Sequence, residues 1–343
     1  MRAYFKKHIL NFKQPSGTSR GILTQKVTWF IFIEQDGKVG IGECGMFKGL
    51  SFDDRPDFEN KLQNICEEVD KGFEHIYNQA SGFPSIQFGL EMAFRSIDAD
   101  HPFQLFPSNF TKGNSDIPIN GLIWMGDKDF MRKQIESKIE EGFRCLKLKI
   151  GAIDFEAELS LLRMIRSVFS KNDLEIRVDA NGAFHSNEAL DKLGKLSRFH
   201  LHSIEQPIKQ GNWEDMSKLC KSTPLSIALD EELIGIESKY KYDLINAIQP
   251  QYIILKPTMV GGYKSSEEWI ALAESKGVGW WITSALESNV GLNAIAQWTY
   301  KLNTTMPQGL GTGGLFTNNF SCPLMVKNAT LHYEPTLDWD FNI

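Results

Sequence analysis

Five charged residues close short apolar runs: Lys149 ends CLKLK, Asp179 ends LEIRVD, Glu205 ends HSIE, Asp230 ends LSIALD and Lys256 ends YIILK. From Asp179 the intervals to Glu205, Asp230 and Lys256 are 26, 25 and 26 residues. Equal spacing after similar lead-ins predicts the charges at one height on successive strands of a repeating unit. Three carboxylates at one depth repel, a pair ~4 Å apart by about 4 kcal/mol at an effective dielectric of 20. A hard divalent cation relieves this, because Mg2+ takes oxygen donors, keeps some water and leaves positions for a substrate carboxylate. Asp179, Glu205 and Asp230 are therefore the expected ligands of Mg2+, with Mn2+ as a substitute, and Asn181 is expected to support them from behind. A lysine in an apolar run is either an edge-strand guard or a functional group. Two lysines that bracket an acid cluster are expected to serve as acid and base, burial and neighbouring cations bringing an ammonium pKa from about 10.4 toward 7 or 8. The chemistry that suits this set is removal of a weakly acidic proton from carbon next to a carboxylate. The expected substrate is a small-molecule carboxylate.

Eight apolar runs, at 118–124, 145–151, 174–181, 202–208, 224–231, 252–258, 277–286 and 306–312, alternate with helical patterns at a steady interval. That alternation predicts an α/β fold whose parallel strands close into a TIM-like (β/α) barrel over 116–314, at the short edge for this architecture. An open doubly wound sheet competes, but it ordinarily keeps a glycine-rich phosphate turn after its first strand, and none is present. Upstream, 25–34, the Asp36-Gly37 turn and 38–43 read as a hairpin, followed by helical patterns over 56–79 and 84–98. Residues 1–115 are thus expected to form an α+β capping domain, to which the tail 315–343 returns.

The chain has 343 residues, 42% hydrophobic, enough to bury cores in two domains. With 37 basic and 43 acidic residues it carries a net charge of −6, so no basic face is on offer to nucleic acid or anionic lipid. The apolar stretch 29–33 is far too short to span a bilayer, and the charged start lacks a signal peptide's apolar segment. A cytoplasmic protein without nucleic-acid or membrane partners is expected. Cys44, Cys66, Cys145, Cys220 and Cys322 lie far apart with no CxxC, which reads as reduced buried thiols rather than disulfides or zinc ligands. HExxH and GxxxxGK[ST] are absent.

LKLKIG (146–151), VDANGAF (178–184), IEQPI (204–208), ALDEEL (228–233) and LKPTMVGG (255–262) resemble the enolase superfamily, within it the muconate-lactonizing subgroup. The N-terminal unit is similar to that family's capping domain, GIGECGMFKGLS (40–51) resembling a substrate-facing loop and QPSGTSRG (14–21) a mobile one. SALESNVGLNAIAQW (284–298) and GLGTGGLF (309–316) resemble a branch that eliminates water from a hydroxycyclohexadiene carboxylate. The resemblance implies that Lys149 removes the proton, that Lys256 offers its ammonium to the developing charge and that Lys147 helps to hold the carboxylate. It also implies substrate contacts at Ser284, Gly309, Gly311 and the capping loops. The 309–314 stretch lacks the Asp-x-Asp that resembles a dipeptide epimerase's amine clamp. An N-acylamino acid racemase or a muconate cycloisomerase shares the lysines and metal site and stands as the alternative, since fold does not fix substrate. Glu287 reads either as a substrate-side polar residue or as a cap for the next helix.

Overall fold

The computed structural model describes residues 1–18 and 21–343, so part of the 14–21 loop, Ser19 and Arg20, lies outside the described residues. Strands β1 (Arg2–Thr18), β2 (Gly21–Gln35) and β3 (Lys38–Cys44) form an antiparallel sheet in that order. Side chains alternate between the two faces of a strand, and the run 29–33 is apolar throughout because both faces are covered. Trp29, Ile31 and Ile33 pack with Phe58, Leu62, Ile76, Ile86 and Leu90 of three helices, α1 (Phe58–Glu67), α2 (Phe73–Gln79) and α3 (Pro84–Asp98). Phe30 and Phe32 face the other way, onto Phe103, Phe320 and Phe341, so the tail supplies the second layer of the cap. Helix α3 sits so close to β3 that a Cβ on Gly42 would lie 1.9 Å from the Gly89 carbonyl oxygen. The helical pattern over 56–79 breaks at Gly72, whose φ of 89° separates α1 from α2. The sequence reading began the sheet at β2 and missed β1, whose exposed Lys6, Lys7 and Ile9 hide its alternation.

Beyond the cap come β4 (Ile117–Pro118), β5 (Gly121–Ile123), α4 (Lys128–Glu140), β6 (Cys145–Lys149), α5 (Phe155–Val168), β7 (Glu175–Asp179) and α6 (Ser186–Ser197). The alternation continues through β8 (Ser203–Glu205), α7 (Trp213–Ser222), β9 (Ile227–Leu229), α8 (Ser238–Ile248) and β10 (Tyr252–Leu255). It ends with the short α9 (Pro257–Val260), α10 (Gly262–Ser275), β11 (Gly279–Ile282) and α11 (Asn289–Lys301). Strands β5 to β11 are parallel neighbours in chain order. The eighth run, expected as a strand over 306–312, is reduced to two parallel bridges, Gln308 to Ile119 and Gly309 to Thr283, which close the ring between its first and last strands. Pro307 supplies no N–H, and the Gln308 side chain itself accepts the Ile282 N–H at 2.7 Å, so a side chain replaces part of the ladder. Gly309 is required here, because a Cβ would sit 1.8 Å from Thr283 Oγ1.

The tail bridges to β1 through Phe316 and Phe12, then forms the hairpin β12 (Leu324–Lys327) and β13 (Thr330–Tyr333), which pairs with β4 at the base of the barrel. All five cysteines are free, and four are buried. Among the described residues no helix is long and apolar enough to cross a membrane.

In the cap, Asp53 is fully buried and accepts the Ser85 N–H at 2.9 Å and the Ser85 hydroxyl at 2.6 Å, while its Oδ1 has no partner. Burial pushes its carboxyl up to about 6, against those hydrogen bonds. A raised acid stabilises the fold fully below its unfolded value near 4, and that stabilisation is lost as pH rises through about 6. The loss is at most about 3 kcal/mol. Urea unfolding of Asp53→Asn at pH 4.5 and 7.5 should therefore show its stability relative to the native chain improving at the higher pH; a pH-independent difference would refute this.

Candidate active site

Alternation along β6 and β7 turns Lys147 and Lys149, and Arg177 and Asp179, into the barrel, while Leu148 and Val178 face the surrounding helices. Lys149 stands opposite Asp179, and Asp179 opposite Glu205, in the strand pairing. The remaining charges depart from the expected common height. Glu205 pairs with Ala228, and Ala228 with Tyr252, so Asp230 and then Lys256 lie successively farther along their strands. Barrel strands tilt and stagger, and this stagger brings the side chains together.

Lys147 Nζ lies 2.9 Å from Asp179 Oδ2 and also pairs with Glu205. Lys149 Nζ lies 2.5 Å from Asp179 Oδ2 and donates to Asn181 Oδ1 at 2.8 Å. Lys256 pairs with Asp230. Asn181 is fixed in turn by donating to Glu231 Oε1 at 2.9 Å, a contact that the sequence reading did not include. All three acids are buried, so their ionisation is decided by neighbours. Burial raises the Asp179 carboxyl, but Lys147, Lys149 and Lys256 together hold it well below its ordinary range. Asp230 is likewise held low against burial, mainly by Lys256. Glu205 goes the other way, pushed well above its ordinary range by burial and then by Asp179. The fall in pKa expected of the bracketing lysines is not what Lys256 shows, and Lys147 behaves as Lys256 does. Burial lowers both, but the facing carboxylates outweigh it and raise them, Asp179 leading for Lys147 and Asp230 for Lys256.

The donor set is three carboxylates with no sulfur, and Glu205 Oε1 is buried without a hydrogen-bond partner. An all-oxygen donor set with one buried oxygen unpartnered fits a hard cation. As the side chains stand, no group of three acids, histidines or cysteines among the described residues is arranged to hold an ion. The ammonium groups of Lys147 and Lys256 lie against the oxygens that such an ion would use.

Above the acids lies a cavity of about 450 Å³, walled by Lys147, Lys149, Asn181 and Lys256 and by Ser284, Gly309, Gly311 and Thr312. The Ser284 and Thr312 hydroxyls are 2.6 Å apart, a pairing across two loops that the sequence reading lacked. The cap contributes Leu23, Phe47 and Leu50 to the same cavity. Phe47 and Leu50 belong to the 40–51 loop; Leu23 follows the 14–21 loop, and no local motif marks it. Glu287 is neither a wall of this cavity nor a helix cap. It is fully buried and accepts the Ala285 N–H at 2.8 Å, while Ser288 caps α11 by accepting the Val290 N–H.

A family model described as enolase C-terminal domain-like matches residues 130–332. The chain is 46% identical to an o-succinylbenzoate synthase from Desulfotalea psychrophila, with 96% of this chain and 98% of that one covered. It superposes on the crystal structure of MenC from Desulfotalea psychrophila LSv54 with a TM-score of 0.87 at 43% identity, over 97% of this chain and 99% of that one. The L-Ala-D/L-Glu epimerase from Bacillus subtilis shares the fold, with a TM-score of 0.83 at 20% identity over 97% of this chain and 96% of the other.

Millimolar Mg2+ should raise Tm by a few degrees, since a ligand at about 100 times its Kd adds ~2.7 kcal/mol and each kcal/mol is worth about 2–4 °C in a chain of about 150–250 residues and less in a longer one. Glu205→Gln should remove most of that rise in a thermal melt; an undiminished shift would place the ion elsewhere.

Proposed function

This chain belongs to the enolase superfamily, and on that premise we propose that it dehydrates 2-succinyl-6-hydroxy-2,4-cyclohexadiene-1-carboxylate to o-succinylbenzoate, a step of menaquinone biosynthesis. The observation that carries the reading is the 46% identity to an o-succinylbenzoate synthase over 96% of the chain, because it spans both the barrel and the cap that together wall the cavity. Specificity on a shared scaffold lies in such walls rather than in the fold.

The roles are those that the family resemblance implies, and the charge environment bears on each. Lys147 and Lys256 are held in the ammonium form by buried acids, which suits them to balancing negative charge rather than to accepting a proton. Lys149, which donates to Asp179 and Asn181 and faces the cavity, is the residue to which the family resemblance gives the part of base. In this reading Lys149 takes the proton from carbon next to the substrate carboxylate, and negative charge accumulates on that carboxylate. Lys256 stabilises the charge from the other side, and Lys147 helps to hold the carboxylate. As the carbon–oxygen bond breaks, the Lys149 ammonium returns its proton to the departing hydroxide, which leaves as water and restores the neutral amine. A divalent cation held by Asp179, Glu205 and Asp230, Mg2+ or in its place Mn2+, would supply further positive charge against the carboxylate oxygens. Ser284 and the small residues Gly309 and Gly311 would shape the wall around the rest of the substrate. The buried free thiols accord with a cytoplasmic setting.

A second reading, racemisation of an N-acylamino acid, is favoured by one observation: lysines stand on both sides of the acid cluster, as two opposed bases require. The ammonium character of Lys256 weighs against it, since one of the two bases must be neutral in each direction.

The test is an ultraviolet assay for o-succinylbenzoate with Mg2+ and with EDTA, beside polarimetry on N-succinyl amino acids. Metal-dependent synthesis without racemisation is expected, and racemisation alone would transfer the function to the second reading. Lys149→Ala should lose a factor of roughly 10² to 10⁴ in kcat while keeping the Mg2+-induced rise in Tm; retention of more than about a hundredth of the rate would exclude Lys149 as the base.

A further inference from the structure

Beneath the cap, beside the cavity, lies a buried charge cluster that the mechanism leaves unused. Lys26 of β2 is only 5% exposed, and its Nζ has no hydrogen-bond partner. A Cβ on Gly45 would stand 3.2 Å from Lys26 Nζ, 3.4 Å from Thr258 Cγ2 and 3.5 Å from Glu287 Cγ, so these groups converge on one point. Two fully buried carboxylates share this space. Glu287, between β11 and α11, accepts from the Ala285 N–H and from the Thr258 hydroxyl. Glu43, on β3, accepts from Thr28 Oγ1 at 2.9 Å, from Ser288 N–H at 2.9 Å and Oγ at 2.6 Å, and from Gly291 N–H at 2.8 Å. Burial lowers the Lys26 pKa, and Glu287 and then Glu43 oppose it. Lys26 is thus a buried amine of the cap beside one acid of the cap and one of the barrel.

Glu287 leads to the cavity wall on the barrel side and the strand of Lys26 on the cap side. Ala285 follows Ser284 and lines the cavity, Thr258 lies two residues beyond Lys256, and β2 itself carries Leu23. We propose that Lys26 is a positioning residue that clamps the cap onto the loops after β10 and β11, so that Leu23 and Phe47 face residues 284–286 across the substrate cavity. Its effect on turnover rests on the synthase reading above; the clamp itself does not. Without Lys26 two carboxylates stay buried with no counter-charge, an arrangement that drives either protonation or separation of the elements that carry them.

The test compares the Mg2+-loaded native enzyme, Lys26→Met and the double variant Lys26→Met/Glu287→Gln by steady-state kinetics and by hydrogen exchange across 283–291. Lys26→Met should raise KM about tenfold or more with kcat within about threefold, because Lys149 and Lys256 are anchored on acids that this cluster does not touch. Exchange across 283–291 should quicken in the same variant. Glu287→Gln removes the surplus charge yet keeps an acceptor for Ala285, and should bring KM back to within about threefold of the native value. A native KM in Lys26→Met, or equal losses in the single and double variants, overturns the proposal. If the native chain makes no o-succinylbenzoate, the reaction has been misread and the exchange rates alone decide the clamp. If Lys26→Met does not accumulate folded, recovery of folded protein by the second substitution supports the clamp and failure to recover overturns it.

Discussion

Placing Asp179, Glu205 and Asp230 at neighbouring strand ends, all out of water, is the constraint from which the rest of this molecule follows. Three buried negative charges are untenable alone, and the barrel answers with Lys147, Lys149 and Lys256 on the flanking strands. The answer is uneven. Asp179 and Asp230 are pulled below the ordinary carboxylate range, whereas Glu205, with one oxygen unpartnered, is pushed above it. A set of charges divided in this way suits the cation and the substrate carboxylate proposed for it.

Such a site needs a rigid floor and a fitted roof. The floor is the closed ring, which the Gln308 side chain and two bridges complete where an eighth strand would otherwise run. Below the acids, the Arg177 guanidinium lies 4.4 Å over the Trp281 ring and donates to the Pro307 carbonyl at 2.9 Å, so even the layer under the site is charged and tied across the barrel. The roof is a sheet buried on both faces, and it meets the barrel through the Glu43 contacts at the start of α11.

Legibility in the sequence followed periodicity. The strand-end acids and lysines could be read because each sits at the end of an apolar run repeated at nearly constant spacing, and the same repeat made the barrel visible. The repeat also misled, since equal spacing suggested equal height, whereas the pairing of Glu205 with Ala228 shows a stagger that no interval reveals. Features that depend on one side chain or one distant partner left no pattern. Strand β1 is masked by its exposed lysines, the eighth strand is replaced by a glutamine amide, and the Ser284–Thr312 pair joins separate loops. Lys26 lies in an unremarkable strand, and the acid that makes sense of it, Glu287, is far away along the chain.

The cap has one further consequence, for the order in which the molecule is made. Phe30 and Phe32 find their cover in Phe320 and Phe341, from the opposite end of the chain. The middle of the chain builds the barrel from neighbours in sequence, but the cap's second layer is still missing when that work is complete. Contacts of such long sequence separation slow folding, because a large loop must close before they form. During synthesis the aromatic face of the sheet therefore lacks this cover until Phe320 and Phe341 have emerged.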